Sequence, residues 1–267
     1  MAPLPPTYHT FDESRGLIPI KTLEKTIGKT LSKLYLYAGR LSPAPRRGRS
    51  SVQDFGKGCL FQVCELLDSF QEYKKNRYGY TTVPVGDLMP LDQYASLDTP
   101  LLGIQLTQLQ GGQVLAFSFL HRMSDGLADA TFITCLSCTL HNEDPPIEMY
   151  YDWQRPPFQP SPKYDHSIDY PVMSETYKRP TMKLDHDMKC IFVIDDDKAN
   201  ELKRQMEQEI QDHDFNITVR DAVTAFMYRV IVKAKRIKGK CDFVYVVGKR
   251  HAHPDKRLLQ HFGNYFA

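Results

Sequence analysis

The clearest pattern along the chain is a nearly continuous apolar run, Val114 to Leu120, which ends at His121. Such a run, interrupted only by Ser118, is typical of a central strand that is covered on both faces. After a short turn the apolar positions resume at helical spacing and predict a helix over Leu127–Leu140. Leu101 to Leu109 is a second apolar segment just before the first. The glycines between the two predict a β-hairpin with His121 at its far end.

The segment before this hairpin contains further predicted elements. Leu23, Ile27 and Leu31 lie on one face of a helix, and Gly39 is typical of a helix end. The polar, proline-rich start of the chain predicts a loose segment. The predicted order is a loose segment over 1–17, a helix over Lys21–Tyr37, a hairpin of Val52–Phe55 with Cys59–Leu66, and a helix followed by a loop over Ser69–Tyr80.

The later part of the chain begins after a proline-rich stretch. Prolines at this density exclude regular structure, so we interpret 141–185 as a long crossover linker. Beyond it the pattern predicts a strand over Met188–Ile194, a polar helix from Asp195 to Ile210, an apolar helix over Val219–Ile231 and a buried strand over Phe243–Val247. We therefore predict four parts: a loose start (1–17), a first domain (18–140), the linker (141–185) and the incomplete start of a second domain (186–267).

Composition narrows the class of protein. The chain has 267 residues, of which 42% are hydrophobic and 25% are charged, and its formal net charge is +2. These values are ordinary for a globular protein and argue against binding to nucleic acid or to an acidic membrane surface. No apolar run is long enough to span a bilayer, and the first residues have neither a charged leader nor an apolar core. Because the six cysteines lie mostly in apolar runs, we expect a reduced protein of the cytoplasm. We also expect a monomer.

His121 is the strongest candidate for chemistry. An imidazole at the end of a buried strand is out of bulk water yet faces a cavity. Because imidazoles titrate near neutral pH, such a group suits a general base. Asp125 would cap the helix or lock the turn through an ion pair, and Gly126 would permit backbone geometry that a side chain forbids. The competing interpretation is an ordinary core histidine, which is the commoner role of a histidine among apolar residues.

Three other groups of residues suggest metal sites but have simpler explanations. Cys135 and Cys138 form one C-x-x-C without further ligands at suitable spacing, so we interpret them as core residues. Asp195 to Asp197 begin a helix, where carboxylates cap free amides and face the positive end of the dipole. His251 and His253 stand two positions apart on a predicted loop and are interpreted as exposed. We therefore expect no metal site.

Several segments together resemble one known family. HRMSDG, on a strand ending AFSFLH and followed by GLADATFI, resembles the catalytic motif of the BAHD acyltransferases, which belong to the chloramphenicol acetyltransferase-like superfamily. Leu31–Leu41 resembles the family's helix ending in a Leu-Ala-Gly-Arg-Leu signature, with Tyr37 where Leu is usual. NITVRDAVTAFMYRVIVKAK resembles the helix that begins the family's second half, and HFGNYFA resembles its Tyr-Phe-Gly-Asn segment. The ordered set is more specific than any one motif.

The resemblance implies a mixed α/β fold, in which a chloramphenicol acetyltransferase-like sheet is flanked by helices. It implies acyl transfer from a coenzyme A thioester to a hydroxyl or amine of a small molecule, with His121 as general base and without an acyl-enzyme. Acyl-CoA would be a co-substrate rather than a bound cofactor, and no residue is assigned to its binding. Asp125 would point away from the substrate and pair with an Arg on a later strand, for which Arg250 is the first candidate and Lys249 the second.

The chain also departs from the family pattern. The family's Asp-Phe-Gly-Trp-Gly motif lies far C-terminal of the catalytic His, so the similar residues 54–58, DFGKG, are not its counterpart. Since the family's enzymes are much longer, we expect a fragment, a truncated gene model or a reduced paralogue. Two alternatives stay open: a non-catalytic relative that binds a ligand or partner, and an unrelated α/β domain with His121 in its core. A peptide-synthetase condensation domain is disfavoured because its motif usually has a second His where Leu120 stands.

Overall fold

The chain folds into two compact units, Met1–Pro180 with Val247–Ala267, and Thr181–Val246. The structure is a computed structural model that describes residues 7–43, 50–76, 83–90, 98–121, 123–145, 192–210, 216–239, 248, 250–251, 254 and 256–264. Residues 247–267, which the sequence pattern placed in a second domain, belong to the first unit. The physical reason is that Arg250 and Asn264 make hydrogen bonds to the turn that carries His121.

A mixed sheet forms the centre of the first unit. The strands among the described residues are β1 (Thr7–Asp12), β2 (Arg40–Pro43), β3 (Ser50–Gln53), β4 (Leu60–Ser69), β5 (Leu102–Gln110) and β6 (Gly112–Phe119). Four of them form one sheet in the order β1-β6-β5-β4, and β2 and β3 form a separate antiparallel pair. β6 is antiparallel to both of its neighbours, β1 and β5, whereas β4 is parallel to β5. The predicted hairpin of β5 and β6 is therefore confirmed.

Helices cover this sheet, and two further helices lie in the second unit. The first unit contains α1 (Ile20–Lys33), α2 (Phe70–Lys75), α3 (Val85–Leu88) and α4 (Gly126–His141), and the second contains α5 (Asp196–Glu209) and α6 (Val219–Ala234). Asp195 caps α5 by accepting from the Lys198 amide, and Thr218 and Asp221 form a capping box at α6. The predicted capping role of Asp195 is confirmed. No helix within the described ranges is both long and apolar enough to cross a membrane.

β5 and β6 are buried on both faces. Successive side chains point to opposite sides of a strand, so each strand contributes to two cores. Ile104, Leu115 and Phe117 face a core that they share with α1 and α4. On the other face, Val114 and Ala116 pack with α2. The strand that leads to His121 is thus fixed from two sides, which limits the movement of its end.

Gly112, at the start of β6, offers a test of this packing. An ideal Cβ there would lie 2.4 Å from Cγ of Phe70 and 2.8 Å from the backbone oxygen of Phe11. We expect Gly112→Ala to lower the free energy of unfolding by about 1–3 kcal/mol, because a backbone oxygen has no rotamer through which to give way. Gly28 in α1 is the control: an ideal Cβ there would have no atom of the described residues within 4 Å apart from the backbone of its own helix, so Gly28→Ala should be neutral or stabilising. Urea unfolding measures the change in free energy for both variants. Equal changes would show that a side chain at position 112 meets no steric clash.

The first strand corrects one expectation. The segment 1–17 was expected to be loose, but Thr7–Asp12 pairs with β6 along its whole length. Its alternating side chains explain this, since Tyr8 packs in the core on one face of the sheet and Phe11 in the core on the other. A short 3-10 turn, Glu13–Arg15, follows.

Two further expectations about strands are wrong where the structure describes them. Val52–Phe55 and Cys59–Leu66 do not form a hairpin, because β3 pairs with β2 whereas β4 pairs with β5. Phe192 to Ile194, the end of a predicted strand, lie outside any strand and are exposed. The predictions for 44–49, 77–82, 146–191, the strand Phe243–Val247, Lys249 and His253 fall outside the described residues.

Candidate active site

His121 lies just beyond the end of β6, in the turn that leads into α4. The turn is fixed by backbone hydrogen bonds: the Leu120 amide donates to the Leu101 carbonyl, and the Met123 amide donates to the Leu120 carbonyl, both at 2.9 Å. His121 is half-buried, as are Phe119 and Leu120 before it, whereas the rest of β6, from Gly112 to Ser118, is buried. The imidazole therefore sits at the edge of the core and not inside it.

One contact assigns the tautomer of the His121 ring. Nδ1 lies 2.7 Å from the backbone oxygen of Ser124. A carbonyl oxygen can only accept, so Nδ1 must carry the hydrogen and donate it. In the neutral ring the lone pair is then on Nε2. This is the tautomer in which Nε2 can accept a proton from another molecule.

The C-terminal segment holds the backbone of the same turn. Asn264 Nδ2 donates to the His121 carbonyl at 2.6 Å, and the Asp125 amide donates to the Gly263 carbonyl at 3.1 Å. Gly263 and Asn264 were not singled out from the sequence. The signal was present only as the resemblance of HFGNYFA to a family segment, because a contact across 143 residues of chain has no local pattern.

Asp125 and Arg250 form a buried, bidentate ion pair. Arg250 Nε donates to Asp125 Oδ2 at 2.7 Å, and Arg250 Nη2 donates to Asp125 Oδ1 at 2.9 Å. The exposed fractions of the two side chains are 3% for Arg250 and 13% for Asp125. Asp125 Oδ1 also accepts from the Ala128 amide at 3.1 Å and so caps α4. Both carboxylate oxygens are thus engaged by the protein.

Arg250 uses its remaining donors on the C-terminal segment. Nη1 donates to the Leu258 carbonyl at 2.5 Å and to the His261 carbonyl, and Nη2 donates to the Gly263 carbonyl at 2.8 Å. Together with the two bonds to Asp125, these contacts match all five donors of a guanidinium. Arg250 therefore fastens the turn after His121 to residues 258–263.

Gly126 does not play the backbone role expected of it. It is the first residue of α4 and is not among the glycines with positive φ. An ideal Cβ at Gly126 would have no atom of the described residues within 4 Å. The expectation that a side chain would be forbidden there is therefore wrong, because the turn is shaped by hydrogen bonds to Asp125 and not by an unusual backbone angle at residue 126.

The sequence did not predict a buried polar cluster of Tyr37, Ser124 and Asp129 beside the turn. Asp129, in the first turn of α4, accepts at Oδ1 from the Ser124 hydroxyl at 2.5 Å and from the Tyr37 hydroxyl at 3.3 Å. Burial raises the pKa of Asp129 to about 7, against the lowering effect of these hydrogen bonds. The sequence carried one hint, Tyr37 where Leu is usual, but an Asp in a first helical turn is ordinarily explained by the helix dipole.

The pKa of Asp129 predicts a pH-dependent stability. A carboxyl whose pKa is higher in the folded state stabilises the fold below its unfolded pKa, and this stabilisation is lost as the pH rises through the folded pKa of about 7. Relative to Asp129→Asn, the wild type should lose on the order of 2 kcal/mol of unfolding free energy between pH 5 and pH 8. Denaturant unfolding of both proteins across this range gives the difference. A difference that is constant with pH would show that Asp129 titrates normally.

The described residues contain no group of three or more His, Cys, Asp or Glu side chains that could hold a metal ion. Cys135 is buried, Cys138 is half-buried, and both are free. His251 is exposed, and its predicted neighbour His253 is outside the described residues.

Comparison with known proteins shows a family and a fold. A family model described as "Transferase family" matches residues 7–267. The 13-hydroxylupanine O-tigloyltransferase of Lupinus albus is 28% identical over 154 residues, which are 55% of this chain and 33% of that protein. The chain therefore matches about a third of the length of this curated relative.

Two solved structures share the fold over nearly the whole chain. TRI101 of F. sporotrichioides, in complex with coenzyme A and T-2, matches with a TM-score of 0.66 at 15% identity and covers 97% of this chain and 63% of its own. Vinorine synthase matches with a TM-score of 0.58 at 18% identity and covers 98% of this chain and 61% of its own. The predicted mixed α/β fold with flanking helices is confirmed.

Proposed function

Because the chain belongs to the Transferase family, that of the BAHD-type acyltransferases, we propose that it moves an acyl group from a coenzyme A thioester to a hydroxyl or amine of a small molecule. The observation that carries this proposal is the 2.7 Å contact between His121 Nδ1 and the Ser124 carbonyl. It supports the proposal because an imidazole with its hydrogen on Nδ1 has its lone pair on Nε2, as a general base requires. His121 is the catalytic residue of the proposal.

The proposed reaction is a direct transfer. Nε2 of His121 takes the proton of the acceptor hydroxyl or amine while the acceptor oxygen or nitrogen attacks the thioester carbonyl. A bond forms between the acceptor and the carbonyl carbon, and the carbon–sulfur bond then breaks. Coenzyme A leaves as a thiolate and takes the proton from the imidazolium, which restores the neutral ring. No acyl group is attached to the protein at any stage.

Asp125 and Arg250 have a structural role in this proposal. Both oxygens of Asp125 accept hydrogen bonds from Arg250, and the pair ties the His121 turn to the C-terminal segment. Fixing the base to within a fraction of an ångström is itself a large part of catalysis, since small misplacements cost rate. Gly126 is retained as a neighbour of the site without a separate role.

The test is an acyl-transfer assay on the 267-residue chain. Because the curated relative is named an O-tigloyltransferase, alcohols are tried before amines, with acetyl-CoA and longer or branched acyl-CoAs as donors. We expect coenzyme A release that depends on the acceptor, together with an acylated product of the expected mass. Binding of coenzyme A without turnover of any pair would favour the alternative, a non-catalytic relative that binds a ligand.

The proposal includes a monomeric protein in the cytoplasm. The four cysteines among the described residues are free, which supports a reducing compartment. Sedimentation velocity of the purified chain and fractionation of cells that express it measure these two properties.

A further inference from the structure

The buried cluster of Tyr37, Ser124 and Asp129 has no part in the proposed reaction as described so far. Its members are 1%, 1% and 5% exposed. Asp129 Oδ1 accepts both hydroxyl hydrogens, whereas Oδ2 is buried without a hydrogen-bond partner among the described residues. A carboxyl group in this position costs stability, because burial removes it from water and only one of its oxygens is compensated.

The surroundings of the cluster make this cost plain. The Tyr37 ring packs edge-on against Phe132, Phe262 and Phe119, with ring centroids 4.9, 5.2 and 5.7 Å apart. Asp129 does not cap α4, since Asp125 does so. An apolar residue in place of Asp129 would suit this aromatic layer better on packing grounds alone. A contribution to stability therefore does not explain the presence of a carboxyl at position 129.

Ser124 connects the cluster to His121. Its hydroxyl donates to Asp129 at 2.5 Å, and its carbonyl accepts from His121 Nδ1 at 2.7 Å. The two ends of one residue thus join the carboxyl to the imidazole. The peptide that carries this carbonyl is also held by the Asp125 amide, which donates to the Gly263 carbonyl at 3.1 Å. Without the contact to Asp129 it loses the side-chain anchor of Ser124, so that the acceptor of Nδ1–H is held less firmly.

We propose that Asp129 is a positioning residue for His121, which acts through Ser124 to hold the imidazole in the tautomer with the hydrogen on Nδ1 and the lone pair on Nε2. The consequence for turnover rests on the proposed function, but the tautomer itself does not. Without this contact the ring is free to carry its hydrogen on Nε2, where it would present a donor to the substrate in place of a base.

The role of Asp129 needs an acceptor oxygen and not a charge. Oδ1 accepts from Ser124 in both the neutral and the ionised carboxyl, so the contact persists through the titration of the group near neutral pH. The other groups that act on Asp129 electrostatically are Asp125, which raises its pKa, and Arg250, which lowers it. An asparagine, whose side-chain oxygen also accepts, should therefore replace Asp129, and a leucine of similar size should not.

The experiment is NMR of the full chain labelled with 15N-histidine, at a pH where imidazoles are neutral. Long-range proton–nitrogen correlations distinguish the two tautomers, and the His121 signals are identified by their loss in His121→Gln. We expect the Nδ1–H tautomer in the wild type and in Asp129→Asn. In Asp129→Leu and Ser124→Ala, circular dichroism should show a folded protein, and the spectra should show the Nε2–H form or a mixture.

Kinetics of the same variants add a second readout. Asp129→Leu should lower kcat by roughly 10- to 100-fold with little change in KM for acyl-CoA, and Asp129→Asn should restore kcat. The Ser124→Ala/Asp129→Leu double variant should be no worse than either single variant, because both remove the same link.

A folded Asp129→Leu chain that keeps the Nδ1–H tautomer in full would overturn the proposal. If Asp129→Leu does not fold, Ser124→Ala is the test, and an unchanged Nδ1–H tautomer in that variant would also overturn the proposal. The experiments distinguish failure of the proposed transferase function from failure of the proposed positioning role of Asp129. A tautomer shift without any acyl transfer in the wild type would retain the positioning role and reject the transferase, and transfer that depends on His121 without a tautomer shift would do the reverse.

Discussion

Replacing His121 by alanine is expected to lower kcat for acyl transfer by roughly 10²- to 10⁴-fold, the usual contribution of a general base. The variant removes the only group that the proposal assigns to proton transfer, while the fold should remain because the ring is half-buried at the end of β6. KM for acyl-CoA should change little. The assay follows coenzyme A thiol release by the purified 267-residue chain, with the acceptor that gives the highest rate.

His141 provides a matched control. Its Nδ1 lies 2.8 Å from the Ser137 carbonyl, a contact like that of His121, but it is exposed at the C-terminal end of α4. His141→Ala should therefore keep the wild-type rate. Full activity of folded His121→Ala, or an equal loss in both variants, would remove His121 from the mechanism.

Replacing Arg250 by alanine is expected to have the largest effect on stability, about 3–5 kcal/mol of unfolding free energy. The change removes the counter-ion of the largely buried Asp125 carboxylate and takes one donor from each of three backbone carbonyls. Asp125→Ala should destabilise to a similar degree, because it leaves the buried guanidinium without its counter-ion and removes the cap of α4. Thermal and urea unfolding measure both losses.

Arg250→Lys tests the geometry as well as the charge. An ammonium keeps the positive charge but lacks the planar fork that reaches both oxygens of Asp125 and the carbonyls of residues 258–263, so most of the stability should still be lost. Lys57→Ala is the control, since Lys57 pairs with Asp98 at 2.8 Å with both side chains largely exposed, and its loss should hardly be measurable.

The double variant separates the pair from its surroundings. Asp125→Ala/Arg250→Ala should lower the free energy of unfolding by clearly less than the sum of the two single changes. Each single change already breaks the ion pair, so the pair cannot be lost a second time in the double variant. Asp125→Ala that is inactive yet as stable as the wild type would instead show a direct part in the chemistry and reject the structural role.

The sequence pattern predicted those parts of the fold that depend on local periodicity. The β5–β6 hairpin, α1 and α4 follow from runs of apolar residues, and the position of His121 follows from where one run stops. The pairing of β4 with β5 and of β1 with β6 could not be predicted in this way, since pairing partners are chosen by tertiary packing and not by the strand itself. For this reason the expected hairpin of Val52–Phe55 with Cys59–Leu66 was wrong.

The candidate site was predictable only where a motif carried it. Asp125 and Arg250 were paired on the strength of a family resemblance, and the structure brings them together although 125 residues separate them. The role of Asp129 was not predicted from the sequence because it depends on the residues around the carboxyl. The same carboxyl on an exposed helix would be an ordinary first-turn residue. The burial of Asp129 beside Tyr37 arises from tertiary packing of the aromatic rings, which the local sequence does not show.

The most direct test of His121 as the base is the pH dependence of kcat/KM for the acceptor. In the wild type the rate should fall on the acid side by roughly tenfold per pH unit, as the imidazole takes up a proton and loses its lone pair. The residual rate of His121→Ala should show no such fall over the same range. An acid limb of the same position and slope in both proteins would mean that another group removes the proton.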